Sequence, residues 1–218
     1  MTVSANPLLP TEDQPSQRQP APAGPAHVPA TRLTSGMNRE ITFTLNGTRM
    51  TRVVDVRASL TDMLREDLHQ TSVKKGCEVG ECGACTVLID GLSVNSCIYL
   101  AVWADGKELR TTEGLATPDG ELSLVQQSFV DAAAVQCGFC TPGLLLTATE
   151  LVEEEREFTR PELRTRLSGH LCRCTGYENI LRAVENAVQA NLAKDGVWSD
   201  RAFWRTVSSV EPGLPQEH

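Results

Sequence analysis

The sequence predicts an α+β chain in which a small mixed sheet carrying one helix precedes a bundle of four helices. Three observations predict it. Between residues 39 and 112, apolar residues alternate with polar ones, and the turn dipeptides Asn46-Gly47 and Asp90-Gly91 separate the runs. From Leu122 onward the apolar residues recur three and four positions apart, the period of an amphipathic helix. Of eight cysteines among 218 residues, seven gather in one Gly-rich loop of the first half and two turns of the second, at the edges of predicted elements, and the eighth, Cys97, follows the second hairpin.

Taken in order, Ile41, Phe43 and Leu45 alternate with Thr42 and Thr44 ahead of Asn46-Gly47, so a strand from Arg39 should fold back on a second strand through 51–54. Ser59 or Thr61 can cap a short helix ending near Leu68, with Leu60, Leu64 and Leu68 on one face. Residues 86–89, the Asp90-Gly91 turn and 92–94 read as a second hairpin, and 108–112 as a further strand. In the second half, Leu122, Val125, Phe129 and Ala133 mark one helix. Thr141-Pro142-Gly143 opens another over 144–152, with proline in the first turn, where its missing N–H costs least. Thr159 and Glu162 have capping-box spacing for a third helix to about Leu167. Ile180, Leu181, Val184 and Val188 define the apolar face of a fourth, over 178–192.

Both ends lie outside this pattern. Seven of the twelve prolines fall within the first thirty residues, so residues 1–38 cannot bury enough apolar surface to offset their ordering entropy and are expected to form a disordered arm. Met37 is an alternative start. The expected domains are 39–116 and 117–192, with a tail over 193–218. The net charge of −8, from 28 acidic and 20 basic residues, disfavours nucleic acid and anionic membrane as partners. No run approaches the roughly 20 apolar residues that span a bilayer. Residues 1–38 show neither the charged start and apolar core of a secretory signal nor a twin arginine, so a cytoplasmic, reducing setting is expected. Clustered cysteines in that setting point to metal ligation more than to disulfides.

Cys77, Cys82, Cys85 and Cys97 form C-x4-C-x2-C-x11-C, whose first three positions have the plant-type ferredoxin spacing for a [2Fe–2S] cluster. Four thiolates and two sulfides around two irons make an anionic core. Backbone N–H groups must approach its sulfurs, and Gly76, Gly80 and Gly83 keep side chains out of their way. Lys74 and Lys75 could add positive potential, although a solvated surface role suits them better. Structural zinc is the competing reading, but it favours paired C-x2-C knuckles, and this loop contains only one.

Cys137 and Cys140 lie in QCGFCTPG at 136–143, and Cys172 and Cys174 in LCRCTGY at 171–177. Each pair immediately precedes a predicted helix, where free N–H groups and positive potential favour thiolates. Two such turns brought together supply four ligands. A thioredoxin-like redox pair is the alternative for Cys137 and Cys140, but it leaves the other pair idle and lacks a preceding strand. His170 would suggest Rieske-type ligation, which requires two histidines on one iron. Trp103, Trp198 and Trp204 read as core or interface anchors. No phosphate loop, Ser-His-Asp set or pair of catalytic carboxylates stands out, so no catalytic residue is assigned.

At these two constellations the sequence resembles the small iron–sulfur subunit of the molybdenum hydroxylases, the group containing xanthine dehydrogenase, aldehyde oxidase and carbon monoxide dehydrogenase. The likeness runs over residues 40–192. GCEVGECGAC at 76–85 is similar to the family's first cluster loop, and QCGFCTPG and LCRCTGY to its second. VNSCIYLAVWADGKELR at 94–110 is most similar to bacterial three-subunit xanthine dehydrogenases.

The resemblance implies a plant-type ferredoxin (β-grasp) domain followed by an all-α four-helix domain, each holding one [2Fe–2S] cluster. Cys77, Cys82, Cys85 and Cys97 match the ligands of the first; Cys137, Cys140, Cys172 and Cys174 match those of the second. Gln136 and Cys174 match positions that contact the molybdopterin cofactor, Cys174 through its backbone. It also implies an electron-transfer subunit of a hetero-oligomer, relaying electrons from a large molybdenum-cofactor-binding subunit to FAD on another. Substrate chemistry would then lie on a different chain. A purine, xanthine or hypoxanthine, is the favoured substrate of the complex, with aldehydes or N-heterocycles as alternatives. Two other classes compete: a free-standing ferredoxin-like carrier, which has no need of the helical half, and a zinc-stabilised interaction module.

Overall fold

The computed structural model describes residues 37–117 and 119–193. Apart from residues 37, 38 and 193, the expected Pro-rich arm and C-terminal tail lie outside the described residues, as do Trp198 and Trp204. Strand β1 (Asn38–Leu45) pairs antiparallel with β2 (Thr48–Asp55), from Asn38↔Asp55 to Leu45↔Thr48. Asn46 and Gly47 make the predicted turn, both at positive φ. From Ile41 onward every second residue of β1, Ile41, Phe43 and Leu45, is buried.

Ser59 caps α1 (Leu60–Asp62) by accepting a hydrogen bond from the Asp62 amide at 3.1 Å. The sequence anticipates one helix to about Leu68; instead the chain widens into a π turn over Met63–Asp67. In that turn Arg65 donates to the carbonyls of Thr71 and Val73, at 2.9 and 2.5 Å, and so anchors the approach to the first cysteine loop.

Strands β3 (Thr86–Ile89) and β4 (Leu92–Asn95) form the second hairpin. The last strand, β5 (Glu108–Arg110), inserts at the centre, parallel to β1 and antiparallel to β3, giving the order β2-β1-β5-β3-β4. All four residues of β3 are buried. Val87 and Ile89 join the core of the sheet half with Phe43, Leu60 and Leu109, while Leu88 joins the core of the helices. A strand enclosed on both faces carries a continuous apolar run rather than an alternation.

The helices follow the predicted order. Ser123 and Gln126 close a capping box on α2 (Leu124–Asp131), and Thr159 with Glu162 closes another on α4 (Arg160–Arg166). Between them α3 (Thr141–Glu153) carries Pro142 in its first turn and lies against β3. Helix α5 (Glu178–Ala193) buries Ile180, Leu181, Val184 and Val188 and packs against each of the other three. Polar links fasten α3 to the sheet. Arg110 on β5 meets Glu153 through two bonds of 2.6 and 2.7 Å, and Ser93 on β4 donates its amide to Glu150 at 3.0 Å. Among the described residues no helix is long and apolar enough to cross a membrane.

Candidate metal centres

The β3–β4 hairpin explains the x11 step of the first quartet. Thr86↔Asn95 is its outermost pair, so Cys85 just before β3 and Cys97 just after β4 emerge side by side. Ser96 secures that end: its amide and hydroxyl both donate to the Cys85 carbonyl, at 3.3 and 2.6 Å. The other two cysteines lie on the loop before β3, which is closed by Lys74 N–H donating to the Ala84 carbonyl at 3.1 Å and by Asn95 reaching the Gly80 carbonyl at 2.8 Å.

Within that loop, backbone amides do point at sulfur. Val79 and Glu81 N–H lie 3.5 and 3.3 Å from Cys77 Sγ. The Val79 amide leads in bringing the Cys77 thiol down to about 7, against the opposing effect of burial and with help from Cys82. Burial, followed by the neighbouring Cys85 thiol, pushes Cys97 up to about 11. Gly76 has no room for a side chain, since a Cβ there would stand 2.9 Å from Cys82 Sγ. Both lysines of the loop are engaged away from the sulfurs: Lys75 with Asp62 and Glu66, Lys74 with the Thr71 carbonyl.

In the helical half, Cys140 is buried at the N-cap of α3, while Cys137 is exposed one turn earlier. Cys172 and Cys174 reach them from the loop before α5. Burial first, and the Cys172 thiol next, push Cys140 up to about 12. Cys172 is held below its ordinary value although burial, the largest influence, raises it; Thr175 Oγ1, at 3.1 Å, is the main opposing partner. Cys174 is raised, chiefly by Cys137. Thr175 and Tyr177 build this loop. The Tyr177 hydroxyl accepts from Cys172 N–H at 2.7 Å and donates to the His170 carbonyl at 3.0 Å. Gln136 is exposed beside Cys137.

Among the described residues no three His, Cys, Asp or Glu side chains converge as around a single ion. The thiols associate two and two instead: Cys77 with Cys82, Cys85 with Cys97, Cys140 with Cys172, and Cys137 with Cys174. Each quartet would supply the four thiolates that a [2Fe–2S] centre requires. Amide donors on sulfur, a glycine pressed against a thiol and paired cysteines in two quartets all fit [2Fe–2S] centres.

The two loops also touch, which the spacing did not foretell. Leu171 N–H donates to the Cys82 carbonyl at 3.0 Å, joining a segment of one quartet directly to the other. Phe139, between Cys137 and Cys140, lies over Gly76, where an added Cβ would stand 3.4 Å from Phe139 Cε1. His170 lies between the loops. It is 5% exposed, and its Nε2 is 2.7 Å from Thr147 Oγ1. Burial lowers its pKa to about 4 and keeps it neutral near pH 7, and Nδ1 faces the Gly83 carbonyl without good hydrogen-bond geometry. Thr147, Thr175 and Tyr177 carried no signal of their own in the sequence, although two of them stand inside the LCRCTGY motif.

Comparison with known proteins places the same halves in known families. Residues 43–116 match the family of the 2Fe-2S iron-sulfur cluster binding domain, and residues 111–185 that of the [2Fe-2S] binding domain. The nicotine 6-hydroxylase small subunit of Paenarthrobacter nicotinovorans is 51% identical over 148 residues, 68% of this chain and 88% of that protein. The xanthine dehydrogenase iron-sulfur-binding subunit of Escherichia coli O157:H7 is 55% identical over 127 residues, 57% of this chain and 79% of the relative. The crystal structure of quinoline 2-oxidoreductase from Pseudomonas putida 86 contains a chain 42% identical, with a TM-score of 0.68, over 72% of this chain and 98% of that one.

Proposed function

The chain belongs to the iron–sulfur subunits of the molybdenum hydroxylases, and on that premise we propose that it relays electrons from a molybdenum-cofactor subunit to an FAD subunit. A [2Fe–2S] centre, when bound, takes up and releases one electron at a time. The observation that carries the reading is the Leu171–Cys82 backbone hydrogen bond, because a relay requires its two sites close together and a pair of independent structural metals does not. Cys77, Cys82, Cys85 and Cys97 are the proposed ligands of one centre, and Cys137, Cys140, Cys172 and Cys174 of the other.

The exposed faces suit two partners. Cys137, Cys174 and Gln136 are exposed together with Val135, Phe139 and Leu171, an apolar rim for the proposed large molybdenum subunit, with Gln136 and the Cys174 backbone offered to the pterin. Val79 and Ile98, exposed beside Cys77 and Cys97, offer an apolar face to the proposed FAD subunit. Burial of such patches is a usual basis of stable association.

A purine, xanthine or hypoxanthine, is the proposed substrate of the complex, within the wider class of N-heterocycles suggested by relatives named for nicotine and nicotinate. The test is purification of the tagged chain from its native cell, with assays on hypoxanthine, xanthine, nicotinate and aldehydes. Co-purification of a molybdenum-containing large subunit and an FAD subunit, with purine turnover, is expected. Recovery of the loaded chain alone, active as an electron donor to several unrelated reductases, would favour a free-standing carrier.

A further inference from the structure

We propose that His170 is a positioning residue that locks the two cysteine loops together and so sets how strongly the two proposed centres communicate. The proposal rests on the ligand assignment above and goes beyond it. His170 is not one of the eight thiols, yet two segments, α3 and the first cysteine loop, close on its ring. Thr147 on α3 engages Nε2 at 2.7 Å. On the opposite side is Gly83, between Cys82 and Cys85, whose missing Cβ would stand 2.5 Å from Nδ1 and 2.4 Å from the Gly169 carbonyl. Helix α3 meets it again at its start, where a Cβ on Gly143 would stand 2.3 Å from the Gly83 carbonyl and 3.2 Å from Nδ1. The ring therefore fills the junction of the first loop, the second loop and α3.

Its chemistry suits a clamp. Thr147 Oγ1 holds one edge of the ring at Nε2, and Nδ1 on the other edge is buried against Gly83 with no hydrogen-bond partner of its own. The neighbouring residue, Leu171, donates the backbone hydrogen bond to Cys82. Displacing the ring therefore loosens that bond as well. Because Nε2 is engaged by Thr147 and Nδ1 faces a carbonyl, the ring holds loops rather than a metal.

The experiment uses the loaded complex, reduced, with two readouts: the magnetic splitting between the two [2Fe–2S] electron paramagnetic resonance (EPR) signals, and hydrogen exchange at the Leu171 amide. His170→Ala should keep both signals, narrow the splitting and speed Leu171 exchange about tenfold. His170→Asn, whose amide reaches the place of Nδ1, should restore both. An unchanged splitting in His170→Ala overturns the proposal, even with faster exchange, because His170 would then be structural only. If His170→Ala loses a centre, Thr147→Val decides: it keeps the ring and removes its anchor, so a narrowed splitting supports the clamp and an unchanged one overturns it. Absence of two separate signals in the unmodified complex would instead overturn the ligand assignment.

Discussion

Arg110, the last residue of β5, and Glu153, the last residue of α3, face each other as guanidinium fork and carboxylate, 2.6 and 2.7 Å apart and both almost fully buried. This pair ties the sheet to the helix that begins at Cys140. Breaking it leaves a charge in the interior, so Glu153→Gln or Arg110→Met should each cost about 3–5 kcal/mol in denaturant unfolding of the loaded chain. The double replacement Arg110→Met with Glu153→Met should recover most of that loss. A double variant as unstable as the singles would contradict the pairing.

Gly83 and Gly120 both hold positive φ, +71° and +85°, but only Gly83 is hemmed in by backbone. Gly120→Ala should cost about 1–2 kcal/mol, the conformational penalty alone. Gly83→Ala should cost considerably more and release iron on gel filtration. Equal effects of the two changes would show that the close approach of the loops is unimportant.

The capping box of α4 is exposed and remote from the cysteines, so it isolates a local contribution. Thr159→Ala removes the hydroxyl that accepts from Glu162 N–H at 3.4 Å and donates to its carboxylate at 2.8 Å. The expected loss is about 1 kcal/mol, with both EPR signals unchanged.

Glu113 gives the fold a component of acid sensitivity. Burial raises its pKa, but the Ser72 hydroxyl and amide, at 2.5 and 2.9 Å, together with Thr111, hold it below the ordinary 4.5. With the folded value below the unfolded one, the stabilisation is complete above the unfolded pKa and is lost as pH falls through the folded value. Thermal unfolding of Glu113→Gln should therefore depend less on pH than the unmodified chain between about pH 5 and 3. Parallel curves for the two proteins would contradict it.

Hairpins and caps were legible because their causes are local. Asn46-Gly47, Ser59 and the Thr159–Glu162 box act within a few residues, and each operates where the sequence places it. The central position of β5 was not legible, since a three-residue strand carries no period. Nor was the double enclosure of β3, which depends on α3, more than fifty residues along the chain. Arg110–Glu153 and His170–Thr147 likewise join residues 43 and 23 positions apart, beyond the reach of any spacing rule. For the cysteines, spacing suggested the chemistry; which thiol stands beside which, and the contact of the two loops, required the three-dimensional arrangement.

Single ligand replacements separate the two proposed centres. Cys82→Ser should remove one [2Fe–2S] EPR signal and Cys140→Ser the other, each blocking electron delivery to FAD while leaving molybdenum reduction by substrate intact. A variant that retained both signals would show that its cysteine is not a ligand.

Metal and sulfide analysis of the purified protein decides whether one chain carries two iron–sulfur centres. About four irons and four acid-labile sulfides per chain are predicted, the content of two [2Fe–2S] clusters. Stoichiometric zinc without sulfide would contradict it.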